Sequence, residues 1–186
     1  MNVIPVEPID ALLEPYAGVI PRDLKLNLTR LLQDGALSAE EALLATLAVS
    51  TSLGFAEMST YAREQLAGAG VTEDQIQEAA QSAALMGMLN TYYRFRHFIG
   101  SPEEYRVAGL RMTVLAKPVL GKERFEMLAF GVSVVNGCES CVRSHEQVLR
   151  NGGVSAEKVH DLARLAAVLK ALQTLMQGAK VNSSKH

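Results

Sequence analysis

Residues 43–58 read LLATLAVSTSLGFAEM and residues 126–141 read EMLAFGVSVVNGCESC. Set against each other at an offset of 83, they share Val49/Val132, Ser50/Ser133 and Gly54/Gly137. The match extends without a gap over 43–91 and 126–174, with 11 identities in 49 columns. Leu66 meets Leu149, and Gly70-Val71-Thr72 meets Gly153-Val154-Ser155. Ala80, Ala83, Ala84, Leu89 and Thr91 meet Ala163, Ala166, Ala167, Leu172 and Thr174. An ungapped match that keeps glycines and helix-start residues in register points to two copies of one supersecondary unit. The chain is therefore expected to form a single domain built from two repeats, about 36–100 and 119–180.

The unit reads as helical. Hydrophobic residues make up 48% of the chain, but aromatics only 5%, and Ala and Leu dominate; that composition favours helix over sheet. Leu24, Leu28, Leu31 and Leu32 form a stripe that Gly35 is expected to stop. Ser38 with Glu41, and Thr72 with Gln75, are capping boxes, the second opening a helix that runs towards His97. Ser101-Pro102-Glu103-Glu104 combines a cap, a first-turn proline and a capping glutamate, so a further helix is expected there. Ser155 opens the last one, with Val159, Leu162, Leu165, Ala166 and Leu169 on one face, and the tail from Lys180 to His186 reads as frayed. Met86 and Met88 are expected in the core. No run alternates apolar and polar residues long enough for a strand. The predicted fold class is all-α, an internally duplicated helical bundle.

Composition narrows the function. Eighteen basic residues balance twenty acidic ones for a net charge of −2, with no basic stripe to meet successive phosphates, so nucleic acid is not an expected partner. The charge-free stretches Ala42–Ala56 and Ala79–Tyr93 are about 15 residues long, short of the roughly 20 a bilayer requires, so no membrane association is expected. The opening MNVIPVEPIDALLEP carries acids and prolines where a signal peptide needs basic then apolar residues, so a cytoplasmic location is expected. The two cysteines both lie in Cys138-Glu139-Ser140-Cys141. In a reducing compartment a close pair points to redox or metal chemistry rather than a staple.

The two repeats differ where chemistry is possible. Phe55 stands opposite Cys138, Met58 opposite Cys141, Leu43 opposite Glu126 and Ala62 opposite His145. If both repeats share a fold, that fold does not require the second repeat's polar residues, and they become site candidates. The Cys-x-x-Cys spacing sets two sulfurs about one helical turn apart, within reach of a reversible disulfide. Gly137 precedes the pair and Val142, His145, Val148 and Leu149 continue as a helix, so the pair sits at a helix start, which favours a thiolate. His145 follows Cys141 by four residues on the same face and could take its proton. Glu126, on a preceding helix with Phe125, Leu128, Val132 and Val135, needs a partner if buried; His145 or a water would complete a proton relay. Zinc would need two further ligands, and His97, His145, His160 and His186 do not form a second pair, so no metal is expected. A thioredoxin-type site would need alternating strands and helices. Two inert buried thiols would leave the histidine at i+4 unexplained. His97, in Tyr92-Tyr93-Arg94-Phe95-Arg96-His97, reads as structural or as part of a subunit contact.

Glu126, Cys138-Glu139-Ser140-Cys141 and His145, at this spacing, resemble the alkyl hydroperoxidase D branch of the carboxymuconolactone decarboxylase-like superfamily. The segment from Met88 to His97 also looks like this branch, and the likeness spans nearly the whole chain. The resemblance implies an all-helical subunit, usually a homotrimer, with its site in the second repeat and no cofactor beyond the redox-active disulfide Cys138–Cys141. It implies that Cys141 attacks a peroxide and becomes the sulfenic acid, that Cys138 donates a proton and resolves it, and that Glu126 and His145 form the relay. It further implies a partner peroxiredoxin, and electrons from a lipoylated acyltransferase coupled to dihydrolipoamide dehydrogenase. Some members carry a second histidine between the cysteines, where this chain has Ser140, so no role for that histidine carries over. Helix-terminus physics alone would make Cys138 the more acidic thiol; the position of His145 favours Cys141. The expected function is an antioxidant, thiol-dependent reduction of alkyl hydroperoxides or of a peroxiredoxin. A lyase of the wider superfamily, with the cysteines as passengers, and a non-enzymatic redox-sensing protein are the competing readings.

Overall fold

In the computed structural model residues 4–183 are described, with side chains as far as residue 178. Eight α-helices and two short 3₁₀ turns make up the regular structure, and no strand occurs among the described residues. They are α1 (Glu7–Leu13), α2 (Val19–Gln33), α3 (Ala39–Leu53), α4 (Ala56–Gly68), α5 (Glu73–Phe98), α6 (Lys122–Val135), α7 (Glu139–Asn151) and α8 (Ala156–Ser183). The all-α class is as expected. Shifted by 83, α3, α4 and α5 become 122–136, 139–151 and 156–181, which coincide with α6, α7 and α8 to within two residues.

The core is built on α3 and α6. Every residue from Ala42 to Ser50 is buried, as are Phe125 and Met127–Ser133; a helix apolar on all sides must sit inside the bundle. Around them α3 packs on α4, α5 and α8, and α6 on α5, α7 and α8. Where α3 and α6 meet, a Cβ on Gly131 would stand 3.2 Å from Val49 Cγ2, so a small residue there sets how closely the two helices approach.

Two buried carboxylates tie each trio of helices to the other. Glu78 on α5 accepts the backbone N–H groups of Val119 and Leu120 at 2.8 and 2.7 Å, just before α6. Asp161 on α8, at the matching position, accepts the N–H of Ala36 at 2.7 Å, just before α3. Each carboxylate satisfies donors that a helix lead-in would otherwise leave unpaired.

The capping boxes at Ser38 and Thr72 form as expected. The helix expected after Ser101 does not. Residues Glu103–Tyr105 make a single 3₁₀ turn with no cap hydrogen bond and no buried residue; the Ser101 hydroxyl donates back to the Arg96 carbonyl, no apolar stripe follows to be buried, and tertiary packing is what sustains most helices. Helix α2 ends at Gln33 with Asp34 as C-cap, so Gly35 directly follows the helix end as expected. The glycine also permits close approach: a Cβ there would stand 2.8 Å from the Leu31 carbonyl oxygen and 3.1 Å from Asp161 Oδ2. Met86 is buried, but Met88 is 36% exposed and lies outside the core. The tail read as frayed from Lys180 continues α8 to Ser183, and residues 184–186 lie outside the described residues.

Candidate active site

The turn between α6 and α7 delivers the cysteines. Gly137 adopts φ +65°, and its counterpart Gly54 adopts +66°, a left-handed conformation that glycine enters without a Cβ clash. The Cys138 N–H then bonds back to the Ser133 carbonyl at 3.2 Å, as Phe55 does to Ser50 at 2.8 Å. This reversal makes Cys138 the N-cap of α7 and puts Cys141 in its first turn. The two are joined by a disulfide across a Cα–Cα distance of 5.3 Å. Cys138 is fully enclosed, whereas Cys141 keeps 6% of its surface. Cys138 Sγ also lies 3.7 Å from Ser140 Oγ.

Glu126 projects from α6 and His145 from α7, and Glu126 Oε2 lies 2.7 Å from His145 Nδ1. Their side chains are 19% and 20% exposed, so the pair is half-buried. Inside a protein such a charge-assisted bond is stronger than in water. It fixes the ring orientation and leaves Nε2 as the nitrogen able to exchange a proton elsewhere. His145 stands one helical turn beyond Cys141 on the same face of α7. Of the residues singled out in the sequence, Cys138 meets Cys141 and Glu126 meets His145. His97 stays apart from that pair: its Nε2 lies 3.7 Å from Glu139 Oε2, and its side chain is 49% exposed.

The surroundings differ between the two trios. The N-terminal segment covers α4, where Tyr61 donates its hydroxyl to the Pro5 carbonyl at 2.7 Å and burial pushes its phenol well above the ordinary value. On α7 the matching residue, Ser144, is exposed. A groove of about 490 Å³ runs beside Glu126, lined also by Lys122, Val148, Leu149 and Val154. Among the described residues, no group of three or more His, Cys, Asp or Glu is placed to hold a metal ion, and no helix is long and apolar enough to cross a membrane.

Sequence reasoning missed a polar network behind the dithiol turn, made by Asn90, Arg94, Ser133 and Asn136. One signal was present: Asn136 stands opposite Leu53, the same polar-for-apolar exchange that marks Glu126 and His145.

The chain is thus all-helical, with a disulfide at a helix start and a half-buried carboxylate–imidazole pair. The carboxymuconolactone decarboxylase family profile matches residues 23–92 and again residues 104–181, and the chain belongs to that family. Similar proteins include several named alkyl hydroperoxide reductase AhpD. The one from Anaeromyxobacter dehalogenans (strain 2CP-C) is 43% identical over 164 residues, 84% of each chain. That of Gluconacetobacter diazotrophicus is 37% identical over 175 residues, 94% of this chain and 93% of its own. That of Streptomyces coelicolor is 36% identical over 162 residues, 86% and 90%.

Proposed function

We propose that this chain is a thiol-dependent peroxidase and disulfide reductase, reducing alkyl hydroperoxides or regenerating a partner peroxiredoxin, with its site in the second of two repeats. The observation that carries the reading is the 2.7 Å Glu126–His145 pair on the face of α7 that also bears Cys141. The names of its relatives support the same chemistry.

In this mechanism Glu126 holds the His145 ring through Nδ1, and Nε2 takes the Cys141 proton, directly or through a water. The thiolate attacks the terminal oxygen of ROOH. The O–O bond breaks, Cys141 becomes the sulfenic acid, and the departing alkoxide takes a proton from Cys138 to leave as ROH. The Cys138 thiolate then attacks the sulfenic sulfur, and the hydroxide leaves as water with the proton held on His145, which forms the disulfide. A dithiol of the dihydrolipoamide type restores both thiols by two exchange steps and is itself oxidised to a disulfide. In the cell this donor is a lipoylated acyltransferase served by dihydrolipoamide dehydrogenase. The working unit is a cytoplasmic homotrimer. The exposed apolar residues Phe95, Phe98 and Ile99 at the end of α5 have a composition suited to a subunit contact.

Peroxide consumption with dihydrolipoamide as reductant tests the reading. Wild type is expected to turn over, and Cys141→Ser is expected to lose turnover entirely. After peroxide the reduced wild type is expected to be lighter by about 2 Da, because two hydrogens leave as the disulfide forms. Turnover that survives in Cys141→Ser would sink the proposal and favour a lyase in which the cysteines are passengers.

A further inference from the structure

Apart from the dithiol and the carboxylate–imidazole pair, a marked difference between the two trios lies in the turn that leads into Cys138. Asn90 on α5 is 1% exposed. Its Nδ2 donates to Ser133 Oγ at 2.9 Å, and its Oδ1 accepts from Asn136 Nδ2 at 3.0 Å. One helical turn further along α5, Arg94 donates to the Asn136 carbonyl at 2.5 Å. Ser52, from α3, donates to Asn136 Oδ1 at 3.2 Å. Ser133 in turn supplies the carbonyl that takes the Cys138 N–H.

The counterpart turn before Phe55 makes fewer bonds to its own third helix, α8. Leu53 replaces Asn136, and its carbonyl takes one side-chain donor, Gln173 Nε2, at 2.9 Å. The hydroxyl of Ser50, matching Ser133, is buried without a partner. Gln177 occupies the place of Arg94. The same backbone turn, with the same left-handed glycine, is thus tied to α8 by one side-chain bond where no dithiol follows and to α5 by three where one does, while Ser52–Asn136 joins the two turns to each other. Folding the turn does not require the additional two.

We propose that Asn90, Arg94 and Asn136 form a clasp that keeps residues 133–138 in one conformation while the dithiol cycles, so that the Cys138 sulfur stays within bonding reach of Cys141. They are positioning residues and touch no reactant. The proposal rests on the reading of Cys138 and Cys141 as a cycling pair. Its physical basis is preorganisation: when the disulfide opens, a pinned turn leaves the two thiols few arrangements, so their effective concentration stays high. A loosened turn gives the dithiol state more conformations and weakens the disulfide relative to it.

The test measures the thiol–disulfide equilibrium of the full-length protein against dithiothreitol and glutathione, read by alkylation and intact mass. In Arg94→Met and in Asn136→Leu, which installs the counterpart residue, the equilibrium constant for the disulfide should fall about tenfold, a shift of ~30 mV towards easier reduction. Arg94→Lys should restore most of it. Gln173→Leu, which releases the counterpart turn, should leave it at the wild-type value. With peroxide, the Cys141 sulfenic acid should form at the wild-type rate in Arg94→Met but persist longer before closing. Unchanged equilibrium constants in folded Arg94→Met would overturn the clasp, as would an equal shift in Gln173→Leu. Should Asn136→Leu fail to fold, Arg94→Met and its lysine rescue decide alone. The equilibrium requires no peroxide, so inactivity towards peroxide would count against the proposed function while leaving the clasp measurable.

Discussion

The trio α3–α4–α5 and the trio α6–α7–α8 share helix bounds to within two residues at an offset of 83, turn on glycines with φ +66° and +65°, and tie down each other's lead-ins with a buried carboxylate. At the positions of the candidate site they part completely. The first trio fills them with Leu43, Phe55, Met58 and Ala62, each no more than 3% exposed. The second places there a disulfide and a half-buried carboxylate–imidazole pair. Burying a carboxylate and an imidazole costs free energy that apolar residues of similar size do not, so the first trio shows what the fold prefers when only packing is at stake. The departures in the second trio therefore fall at the positions that the proposed chemistry uses.

The largest effect expected from breaking this contrast comes from the dithiol itself. Cys138→Ser should end turnover yet still form a sulfenic acid on Cys141, which a trapping reagent will label. A sulfenic acid trapped on Cys138 in the wild type would reverse the two roles. Phe55 and Met58, the counterparts, offer no such intermediate.

The next effect sharpens what the trios share. Glu78 holds two backbone N–H groups and Asp161 holds one from a lead-in. Leaving a buried donor unpaired costs on the order of 1–3 kcal/mol. Glu78→Ala should therefore lower the unfolding free energy by about 2 kcal/mol and Asp161→Ala by about 1 kcal/mol, read by urea denaturation. Equal losses would mean that the second N–H on Glu78 adds no more than the Arg164 bond adds at Asp161.

A smaller asymmetry lies at the start of α3. Lys158 reaches Glu41 at 2.7 Å. At the matching positions stand Gln75 and Arg124, and Arg124 pairs with Glu40 instead, at 2.8 Å. Burial raises the Glu41 pKa, but hydrogen bonds from Lys158 and from the Ser38 backbone outweigh it and hold the carboxyl below its ordinary value of 4.5. A carboxyl with a depressed folded value stabilises the fold above the unfolded value and loses that stabilisation as pH falls through the folded one. Glu41→Gln should thus cost less than about 1 kcal/mol at neutral pH, since part of the pair is screened by solvent. The difference from wild type should vanish below the folded value. A gap that persists at low pH would place its origin in packing rather than charge.

Much of this contrast was legible in the sequence because it rests on local signals. Two capping boxes, two turn glycines and an unbroken offset fix where helices begin and how the halves correspond. Glu126 and His145 stood out as polar residues facing Leu43 and Ala62. What stayed hidden depends on partners distant in sequence. Asn90 and Arg94 owe their significance to Ser133 and Asn136, more than forty residues away, and nothing in the helical run around them announces that contact. The Ser101 cap misled for the converse reason: a local signal was present, but no packing surface followed it.

The central claim is that Glu126 and His145 act as one proton relay rather than as two packing residues, and a double-mutant cycle on turnover tests it most directly. In variants whose helical circular dichroism matches wild type, Glu126→Gln and His145→Gln should each lower the rate by about 10²–10⁴. The double variant should lose much less than the product of the two, because members of one relay fail together. An unassisted thiol ionises near pH 8.5, so each variant should recover part of its rate as pH rises towards about 9, while wild type gains less. A well-folded His145→Gln protein with wild-type turnover at neutral pH would contradict the account and leave the cysteine pair to act alone.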